Sequence, residues 1–177
     1  AAITGDSLQR LEGARLYMLV DGRPSAAEFE NLCRSLVEAG VHALQLRDKK
    51  LPDRQLVARA RLLRSLTAGT ATLFIMNDRP DLAVLAGADG VHVGQDELAV
   101  KDARQIAGPQ ALVGVSTHSV EQARQAVLDG ANYIGVGPTF PSHTKAFDRL
   151  EGVGLAARVA AEVRLPAFVI GGVTLER

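Results

Sequence analysis

Polar side chains follow several short apolar runs, at the places where β-strands would end. Two such runs lead into the segments Gln45–Lys49 and Asn77–Arg79, which carry amide, cationic and carboxylate groups. Three more lead to Asp96, Ser116 and Thr139. Cationic side chains of this kind bind phosphate oxygens, and carboxylates bind hard cations such as Mg²⁺. The pattern therefore predicts an enzyme that acts on an anionic substrate.

The first segment places three polar side chains on one face of a predicted strand. Residues two apart on a strand share a face, so Gln45, Arg47 and Lys49 point the same way. The alternative is an ion pair between Arg47 and Asp48 at the surface. A polar side chain inside a strand costs free energy unless it is hydrogen-bonded, which favours a role in binding.

Two aspartates follow neighbouring predicted strands. Asp78 comes directly after the third strand, and Asp96 comes after the fourth. Mg²⁺ commonly binds one or two carboxylates together with phosphate oxygens of a substrate, so the two aspartates could share one ion. Each aspartate also precedes a predicted helix, and a helix N-cap explains either one equally well when it is taken alone.

A serine and two loops complete the candidate site. Ser116 lacks the G-x-S-x-G context of a serine nucleophile, which favours a hydrogen-bond donor or a helix cap. Residues 137–145 combine a turn that contains proline with hydroxyl and lysine side chains. Such a loop could close over a phosphate or be an ordinary surface loop. Gly171 and Gly172 lie at the end of the seventh predicted strand, at the usual phosphate site of a barrel.

Seven predicted strands alternate with helical patterns and would position these residues. We predict strands at residues 15–20, 42–47, 72–77, 90–94, 112–116, 133–137 and 166–171. Apolar residues at spacings of three and four predict helices at 26–39, 56–66, 81–85, 120–128 and 154–163. The repeated order of helix, glycine and strand predicts a parallel sheet with right-handed crossovers.

Two α/β architectures fit this order, a doubly wound sheet and a (β/α)₈ barrel. The G-x-G-x-x-G motif of many doubly wound folds does not follow the first strand, where the chain reads Asp21–Pro24. Polar residues after five strands fit a ring better than a single crevice. We predict a (β/α)₈ TIM barrel whose eighth β/α unit is missing. An N-terminal extension at residues 1–14 would precede the barrel domain at 15–177.

The composition supports one globular domain and argues against several classes of protein. The 177 residues are 47% hydrophobic and have no net charge, so we do not expect a nucleic-acid partner. No stretch of the sequence approaches the length of an apolar membrane span, so we do not expect a membrane partner. The single cysteine, Cys33, excludes a disulfide framework and suits a cytoplasmic protein. His42 and His92 lie within predicted strands, which is typical of hydrogen-bonded core residues.

Taken together, the motifs resemble the thiamine-phosphate synthase family. The matching segments occur in the family's order and are Gln45–Lys49, Asn77–Arg79, Gly90–Asp96, Gly114–His118, Gly137–Lys145 and Ile170–Gly172. The resemblance implies a barrel that couples the diphosphate of a hydroxymethylpyrimidine with the phosphate of a hydroxyethylthiazole. Thiamine phosphate and pyrophosphate would be the products of that reaction.

The resemblance also implies a role for each matching residue. The contacts to the pyrimidine diphosphate would be Gln45, Arg47, Lys49, Asn77, Ser116 and Lys145. Asp78 and Asp96 would bind Mg²⁺, and the contacts to the thiazole phosphate would be Ser142, Thr144 and Gly172. The implied catalytic residues are Arg47, Lys49, Ser116 and Lys145, which would stabilise charge on the departing pyrophosphate.

Three questions stay open after the resemblance. Family members have an eighth strand that this chain does not reach by Arg177, so we expect it to be part of a longer protein. A thiazole tautomerase-like barrel, which needs no metal, and a non-catalytic phosphate-binding module are the alternative functions. Asp78 and Asp96, together with Lys49 and Lys145, favour the synthase. A homo-oligomeric state is also open.

Overall fold

Helices and strands alternate along the chain. The computed structural model describes residues 6–140, 152–174 and 176. The strands are β1 (Tyr17–Val20), β2 (Ala43–Leu46), β3 (Leu73–Asn77), β4 (Gly90–Val93), β5 (Leu112–Thr117), β6 (Tyr133–Val136) and β7 (Ala167–Val169). The helices are α1 (Asp6–Gly13), α2 (Ala26–Glu38), α3 (Asp53–Thr67), α4 (Pro80–Ala86), α5 (Val100–Ala107), α6 (Val120–Leu128) and α7 (Gly152–Glu162). All seven predicted strands are therefore confirmed, with ends that differ by at most two residues.

The seven strands are parallel and pair in chain order from β1 to β7. A doubly wound sheet instead reverses its order at a switch point. The order continues here, and the edge strands approach each other, with the rings of Tyr17 and Phe168 5.0 Å apart. The fold is therefore a (β/α) barrel of TIM type, as predicted, with a seam between β1 and β7. Within the described part of the chain, no eighth strand fills that seam.

Local sequence signals explain where several helices begin and end. Helix α2 begins with a capping box, in which the Ser25 hydroxyl accepts from the Glu28 N–H at 3.2 Å. Helix α4 begins at Pro80 and ends at Gly87, whose φ of 68° suits a left-handed cap. Helix α5 is the helix expected after Asp96, for which no bounds were predicted, and its N-cap, Ala99, makes no side-chain cap hydrogen bond. None of the described helices is long and apolar enough to cross a bilayer.

Helix α1 was not predicted, and it packs against the amino-terminal end of the barrel. Its residue Leu11 is buried in the barrel interior. Its Arg10 guanidinium lies 3.1 Å from the carboxylate of buried Asp89, which directly precedes β4. The same carboxylate accepts from Arg64 of α3 at 3.2 Å and from the Phe74 N–H at 2.7 Å. A buried charge with this many partners ties α1, α3 and β3 together.

Apolar residues form one cluster between the strands and the helices and another inside the barrel. The outer cluster includes Leu44 and Leu46 of β2, packed with Ala60 of α3 and its neighbours. The inner cluster consists of Leu11, Ala43, Leu73, Ile75, Leu112 and Tyr133, with Tyr17 and Phe168 packed against it. Successive residues of a strand face opposite sides, so β1, β2, β3, β5 and β6 each supply residues to both clusters. The inner cluster is the apolar layer that supports polar side chains inside the barrel.

Gly114 of β5 provides the space for the ring of Tyr133 on the neighbouring strand β6. The two residues are directly paired across the strands. A Cβ atom on Gly114 would lie 2.0 Å from Tyr133 Cζ, well inside the contact distance. Tyr133 is only 1% exposed, so its ring has little room to retreat. Packing therefore requires a glycine at this position of the strand.

Replacing Gly114 by alanine should destabilise the barrel. We expect the free energy of unfolding to fall by about 1–3 kcal/mol, the usual cost of overpacking a core. Chemical denaturation followed by circular dichroism would measure it. Gly13→Ala is the control, because no described atom lies within 4 Å of its added Cβ. A Gly114→Ala protein as stable as the control would show that the Tyr133 ring can move aside.

Candidate active site

A cavity of about 600 Å³ opens at the carboxyl ends of the strands. Its lining residues come from the last positions of the strands and from the loops that follow them. The polar side chains that line it are Tyr17, Gln45, Arg47, Lys49, Asn77, Asp78, His92, Gln95, Glu97, Ser116, His118 and Tyr133. Apolar side chains that include Leu19, Phe168 and Ile170 form the rest of the wall. The cavity therefore combines an apolar surface with several charged groups, as small-molecule sites commonly do.

The structure brings most of the predicted site residues into this cavity. Those that line it are Gln45, Arg47, Lys49, Asn77, Asp78, Ser116 and Gly172. Asp96 is exposed and does not line the cavity. The next residue, Glu97, does line it. The predictions for Ser142, Thr144 and Lys145 fall on residues outside the described part of the chain.

Two carboxylates share one ammonium group at the cavity. Lys49 Nζ lies 3.2 Å from Asp78 Oδ2 and 3.4 Å from Glu97 Oε1. The Asn77 amide also donates to Asp78 Oδ2, at 2.8 Å. Partial burial by itself lowers the pKa of Lys49, but the hydrogen bonds and charges of the two carboxylates outweigh it, and the pKa is raised. Lys49 is therefore a stable cation that three strand ends position jointly.

Asp78 has an unusual backbone conformation that aims its carboxylate at this cluster. Its φ is 59°, in the left-handed region that few non-glycine residues adopt. Its N–H donates to the His92 carbonyl at 2.8 Å, which fixes the turn after β3 against β4. Strained backbone of this kind is concentrated at functional sites. The alternative role as a helix cap is wrong, because the N-cap of α4 is Arg79 and that of α5 is Ala99.

The loop after β2 is ordered by Asp48, which leaves Arg47 to the cavity. The Asp48 carboxylate accepts from the N–H groups of Gly22, Lys50 and Leu51 at 2.8–3.0 Å. Burial raises the pKa of Asp48, but these N–H groups outweigh it and the pKa is lowered. Asp48 forms no ion pair with Arg47 among the described contacts. The alternative of a surface ion pair between these neighbours is therefore wrong.

His92 forms a buried part of the wall and orients its neighbours. Its Nδ1 lies 3.1 Å from the Tyr133 hydroxyl, and its Nε2 lies 2.9 Å from Ser116 Oγ. Burial lowers the pKa of His92 to about 4, although the Glu97 charge acts in the opposite direction. The prediction of a hydrogen-bonded core histidine is confirmed for His92 and wrong for His42, which is exposed and precedes β2. Ser116 is not a helix cap, since Ser119 caps α6 by accepting from the Gln122 N–H at 3.1 Å.

The loops after β6 and β7 lie against each other and form one side of the cavity. The Thr139 N–H donates to the Ile170 carbonyl at 3.0 Å, and the Phe140 N–H donates to the Gly171 carbonyl at 2.9 Å. Gly171 has φ 90°, and a Cβ atom there would lie 3.0 Å from Pro138 Cα. Both the dihedral angle and the close approach favour glycine at this position. The loop that contains Gly172 is thus held beside the end of β6.

Sequence reasoning missed several polar residues of the cavity. Glu97 lies in a loop beyond β4, where strand periodicity gives no information about side-chain direction. Tyr17 and Tyr133 alternate with outward-facing residues on β1 and β6, a signal that could have placed them inside the barrel. His118 follows β5, and its Nδ1 lies 2.6 Å from the Gly137 carbonyl. Its position one residue after a strand could have predicted a place at the rim.

Several curated proteins with similar sequences are described as thiamine-phosphate synthases. Residues 16–177 match the family model described as thiamine monophosphate synthase. A thiamine-phosphate synthase of Rhodopirellula baltica is 48% identical, over 94% of this chain and 46% of the relative. One of Methanoculleus marisnigri is 42% identical, over 92% of this chain and 78% of the relative. The chain spans about half the length of several curated relatives that it matches.

Solved structures show the same similarity in three dimensions. A thiamine phosphate pyrophosphorylase from Pyrococcus furiosus superimposes with a TM-score of 0.81 at 32% identity, over 94% of this chain and 78% of that one. A 3-dehydroquinate dehydratase from Geobacillus kaustophilus superimposes with a TM-score of 0.62 at 15% identity, over 88% of this chain and 72% of that one. The second similarity concerns the barrel fold alone.

The buried His92 should make stability depend on pH. An unfolded histidine has a pKa of about 6.5, whereas the pKa of folded His92 is about 4. Between these values the unfolded chain binds a proton that the native protein does not. The free energy of unfolding should therefore rise between pH 4 and 6.5, with about 3 kcal/mol from this residue.

Urea denaturation at a series of pH values would measure this contribution. His92→Gln should lose it, while His42→Asn, a change at an exposed histidine, should keep it. The change in the free energy of unfolding between pH values is compared, rather than its value at one pH. A general loss of packing lowers stability at every pH, whereas titration of His92 changes the pH dependence. Equal pH dependence in all three proteins would contradict a neutral, buried His92.

Proposed function

The chain belongs to the thiamine monophosphate synthase family, and we propose that it couples the diphosphate of a hydroxymethylpyrimidine to the phosphate of a hydroxyethylthiazole. The products would be thiamine phosphate and pyrophosphate. The observation that carries the proposal is the cavity at the strand ends, where Arg47 and Lys49 occur together with the carboxylates of Asp78 and Glu97. Charges of both signs suit a diphosphate that binds together with a metal ion.

The donor atoms of the cavity fit Mg²⁺. The carboxylates of Asp78 and Glu97 already converge on one cation, the Lys49 ammonium, at 3.2 and 3.4 Å. Mg²⁺ usually takes one or two carboxylates and completes its shell with phosphate and water oxygens. A cluster of three protein ligands, which the described residues do not contain, is therefore not required. When bound, Mg²⁺ would neutralise negative charge on the leaving pyrophosphate.

Asp78 is the first carboxylate ligand in this proposal, and two neighbouring residues compete for the second position. The sequence predicts Asp96, which is exposed outside the cavity lining. The geometry favours Glu97, because its carboxylate contacts the same ammonium as Asp78 does. A ligand must reach the ion that the other ligand binds, so the shared contact is the stronger argument.

The remaining polar residues would bind and orient the two substrates. Arg47 and Lys49 would hold the diphosphate, and Lys145, which comes after β6 in the sequence, would join them. Guanidinium groups bind phosphate oxygens through a planar fork, and ammonium groups act as point charges. Gln45, Asn77 and Ser116 would supply uncharged hydrogen bonds to the pyrimidine diphosphate, while Ser142, Thr144 and Gly172 would hold the thiazole phosphate.

The proposed substitution needs charge stabilisation rather than a protein nucleophile. The C–O bond to the diphosphate breaks first, and its electron pair leaves with pyrophosphate. The thiazole nitrogen then donates its lone pair to the pyrimidine cation and forms the new C–N bond. Cys33, the single cysteine of the sequence, is buried in α2, where burial raises the pKa of its thiol to about 11. That thiol is unsuited to act as a nucleophile.

Two other functions remain as alternatives to the synthase. A tautomerase-like barrel would isomerise a thiazole without a metal, and a binding module would hold the phosphates without turnover. The carboxylates of Asp78 and Glu97 favour the synthase over both, since neither alternative needs a paired anionic group beside Lys49. A cytoplasmic location and the oligomeric state stay predictions.

A coupling assay should detect thiamine phosphate. The protein is incubated with both phosphorylated precursors and Mg²⁺, and the products are separated by chromatography. We expect thiamine phosphate and pyrophosphate in equal amounts, and loss of both when EDTA removes the metal. Conversion of a thiazole substrate that is insensitive to EDTA would favour the tautomerase-like barrel. Binding of the substrates without any product would favour the binding module.

Substitution of the carboxylates should separate the metal ligands from their neighbours. Asp78→Ala is expected to lower kcat about 10²–10³-fold, the range for one lost electrostatic stabiliser, and Lys145→Ala should do the same.

Glu97→Gln and Asp96→Asn form a matched pair, because each replaces one carboxylate by an amide of equal size. Glu97→Gln should raise the Mg²⁺ concentration for half-maximal rate by at least about tenfold. If Asp96→Asn raised this Mg²⁺ concentration more than Glu97→Gln did, Asp96 and not Glu97 would be the second ligand.

A further inference from the structure

A line of hydrogen bonds inside the barrel connects five side chains and ends at the cavity. The Gln45 amide N–H donates to the Tyr17 oxygen at 2.7 Å, and the hydroxyls of Tyr17 and Tyr133 are 2.9 Å apart. The Tyr133 hydroxyl lies 3.1 Å from His92 Nδ1, and His92 Nε2 lies 2.9 Å from Ser116 Oγ. The line therefore joins five strands, β2, β1, β6, β4 and β5.

Each hydroxyl in this line has one proton, which restricts the direction of every bond. An amide nitrogen only donates, so Tyr17 accepts from Gln45 and must give its own proton to another group. Among the described residues, the Tyr133 oxygen is the remaining partner of the Tyr17 hydroxyl. Tyr133 then accepts from Tyr17 and donates its own proton to His92 Nδ1.

His92 transmits this direction to Ser116. The ring nitrogen Nδ1 accepts the Tyr133 proton and so carries none of its own, which leaves the ring with a single proton. With Nδ1 accepting from Tyr133, that proton lies on Nε2 and is donated to Ser116 Oγ. Ser116 keeps its own proton for a partner in the cavity. In the reverse direction, Ser116 would donate to His92 and present only lone pairs to the cavity.

We propose that Tyr133 and His92 are positioning residues that hold the Ser116 hydroxyl as a hydrogen-bond donor toward an anionic substrate. The proposal rests on the proposed function in one respect, since the diphosphate is the anion that Ser116 would meet. An ionised phosphate oxygen accepts hydrogen bonds and cannot donate them. A serine held as an acceptor would therefore repel the diphosphate, and a serine held as a donor would attract it.

The packing around the line keeps the two rings in place. His92 is 8% exposed and Tyr133 is 1% exposed, so neither ring can turn to water. The rings of His92 and Tyr133 are 5.5 Å apart. A Cβ atom on Gly114 would lie 2.0 Å from Tyr133 Cζ, so the absence of a side chain there lets the hydroxyl reach His92. The direction of the bonds is thus built into the barrel interior.

Nuclear magnetic resonance would test the tautomer of His92 without any substrate. In protein labelled with ¹⁵N-histidine near pH 7, the two ring nitrogens of a neutral histidine give well-separated shifts. The His92 signals are assigned by their loss in His92→Gln. We expect a proton on Nε2 and none on Nδ1. The reverse tautomer, or a charged ring, would overturn the proposal whatever the enzyme does.

A double-mutant cycle would test whether Tyr133 acts through Ser116. Ser116→Ala should raise the KM for the pyrimidine diphosphate about 10–100-fold, as expected for losing a hydrogen bond to a charged group. Tyr133→Phe should raise it about 3–10-fold, but should add nothing once Ser116 is alanine. The KM for the thiazole phosphate should stay unchanged. An equal effect of Tyr133→Phe in both backgrounds would overturn the proposal.

Control variants distinguish positioning from general loss of stability. Thr72→Val removes another buried hydroxyl, which donates to the Val41 carbonyl at 2.7 Å far from the cavity, and should leave KM unchanged. His92→Gln keeps an amide N–H that reaches Ser116. Its KM for the pyrimidine diphosphate should therefore be lower than that of His92→Asn, whose side chain is shorter. If KM rose in step with the loss of stability across these variants, the proposal would be contradicted.

Failure of the proposed function would be recognised separately. If the unmodified protein couples nothing, the same cycle is measured from the dissociation constant of inorganic pyrophosphate in the presence of Mg²⁺. Weaker binding that depends jointly on Tyr133 and Ser116 would support the positioning role even then. Independent effects of the two variants on that constant would overturn it.

Discussion

All seven strands run in one direction, and the site depends on this constraint. Parallel strands end at the same rim, so residues from separate parts of the chain meet there. Lys49 follows β2, Asp78 follows β3 and Glu97 lies beyond β4, yet their charged groups are 3.2 and 3.4 Å apart. At the opposite end, buried Asp89 binds Arg10 and Arg64 and holds structural elements together. The candidate active site and the ion pairs of Asp89 therefore lie at opposite ends of one barrel.

The barrel interior imposes a second constraint, since polar side chains there must be hydrogen-bonded. Tyr17, Tyr133 and His92 satisfy this requirement by bonding to one another across strands. Gly114 leaves the space that the Tyr133 ring occupies. The same bonds that remove the cost of burying polar groups also decide which atoms face the cavity as donors. In the proposed arrangement, core packing and substrate recognition depend on the same hydrogen bonds.

Much of the fold was predictable because its signals are local. Continuous apolar runs identified all seven strands, and glycine after helical patterns located most helix ends. Helix α1 was missed, and helix α5 was expected after Asp96 only without bounds, since Ala99 at its start offers no capping side chain. The cap interpretation of Asp78 failed for a related reason. A helix start can be recognised within a few residues, but the sequence did not reveal that Arg79 is the N-cap of α4.

The sequence by itself determined the number and order of the strands and the residue types that follow them, since these depend on neighbouring residues. Tertiary structure alone decided that Glu97 rather than Asp96 reaches Lys49, because loop direction is set by packing. It also decided that Tyr17 would meet Tyr133, 116 residues further along the chain. Contacts of this kind follow from strand register and from the curvature that brings β1 and β6 together, neither of which a local pattern contains.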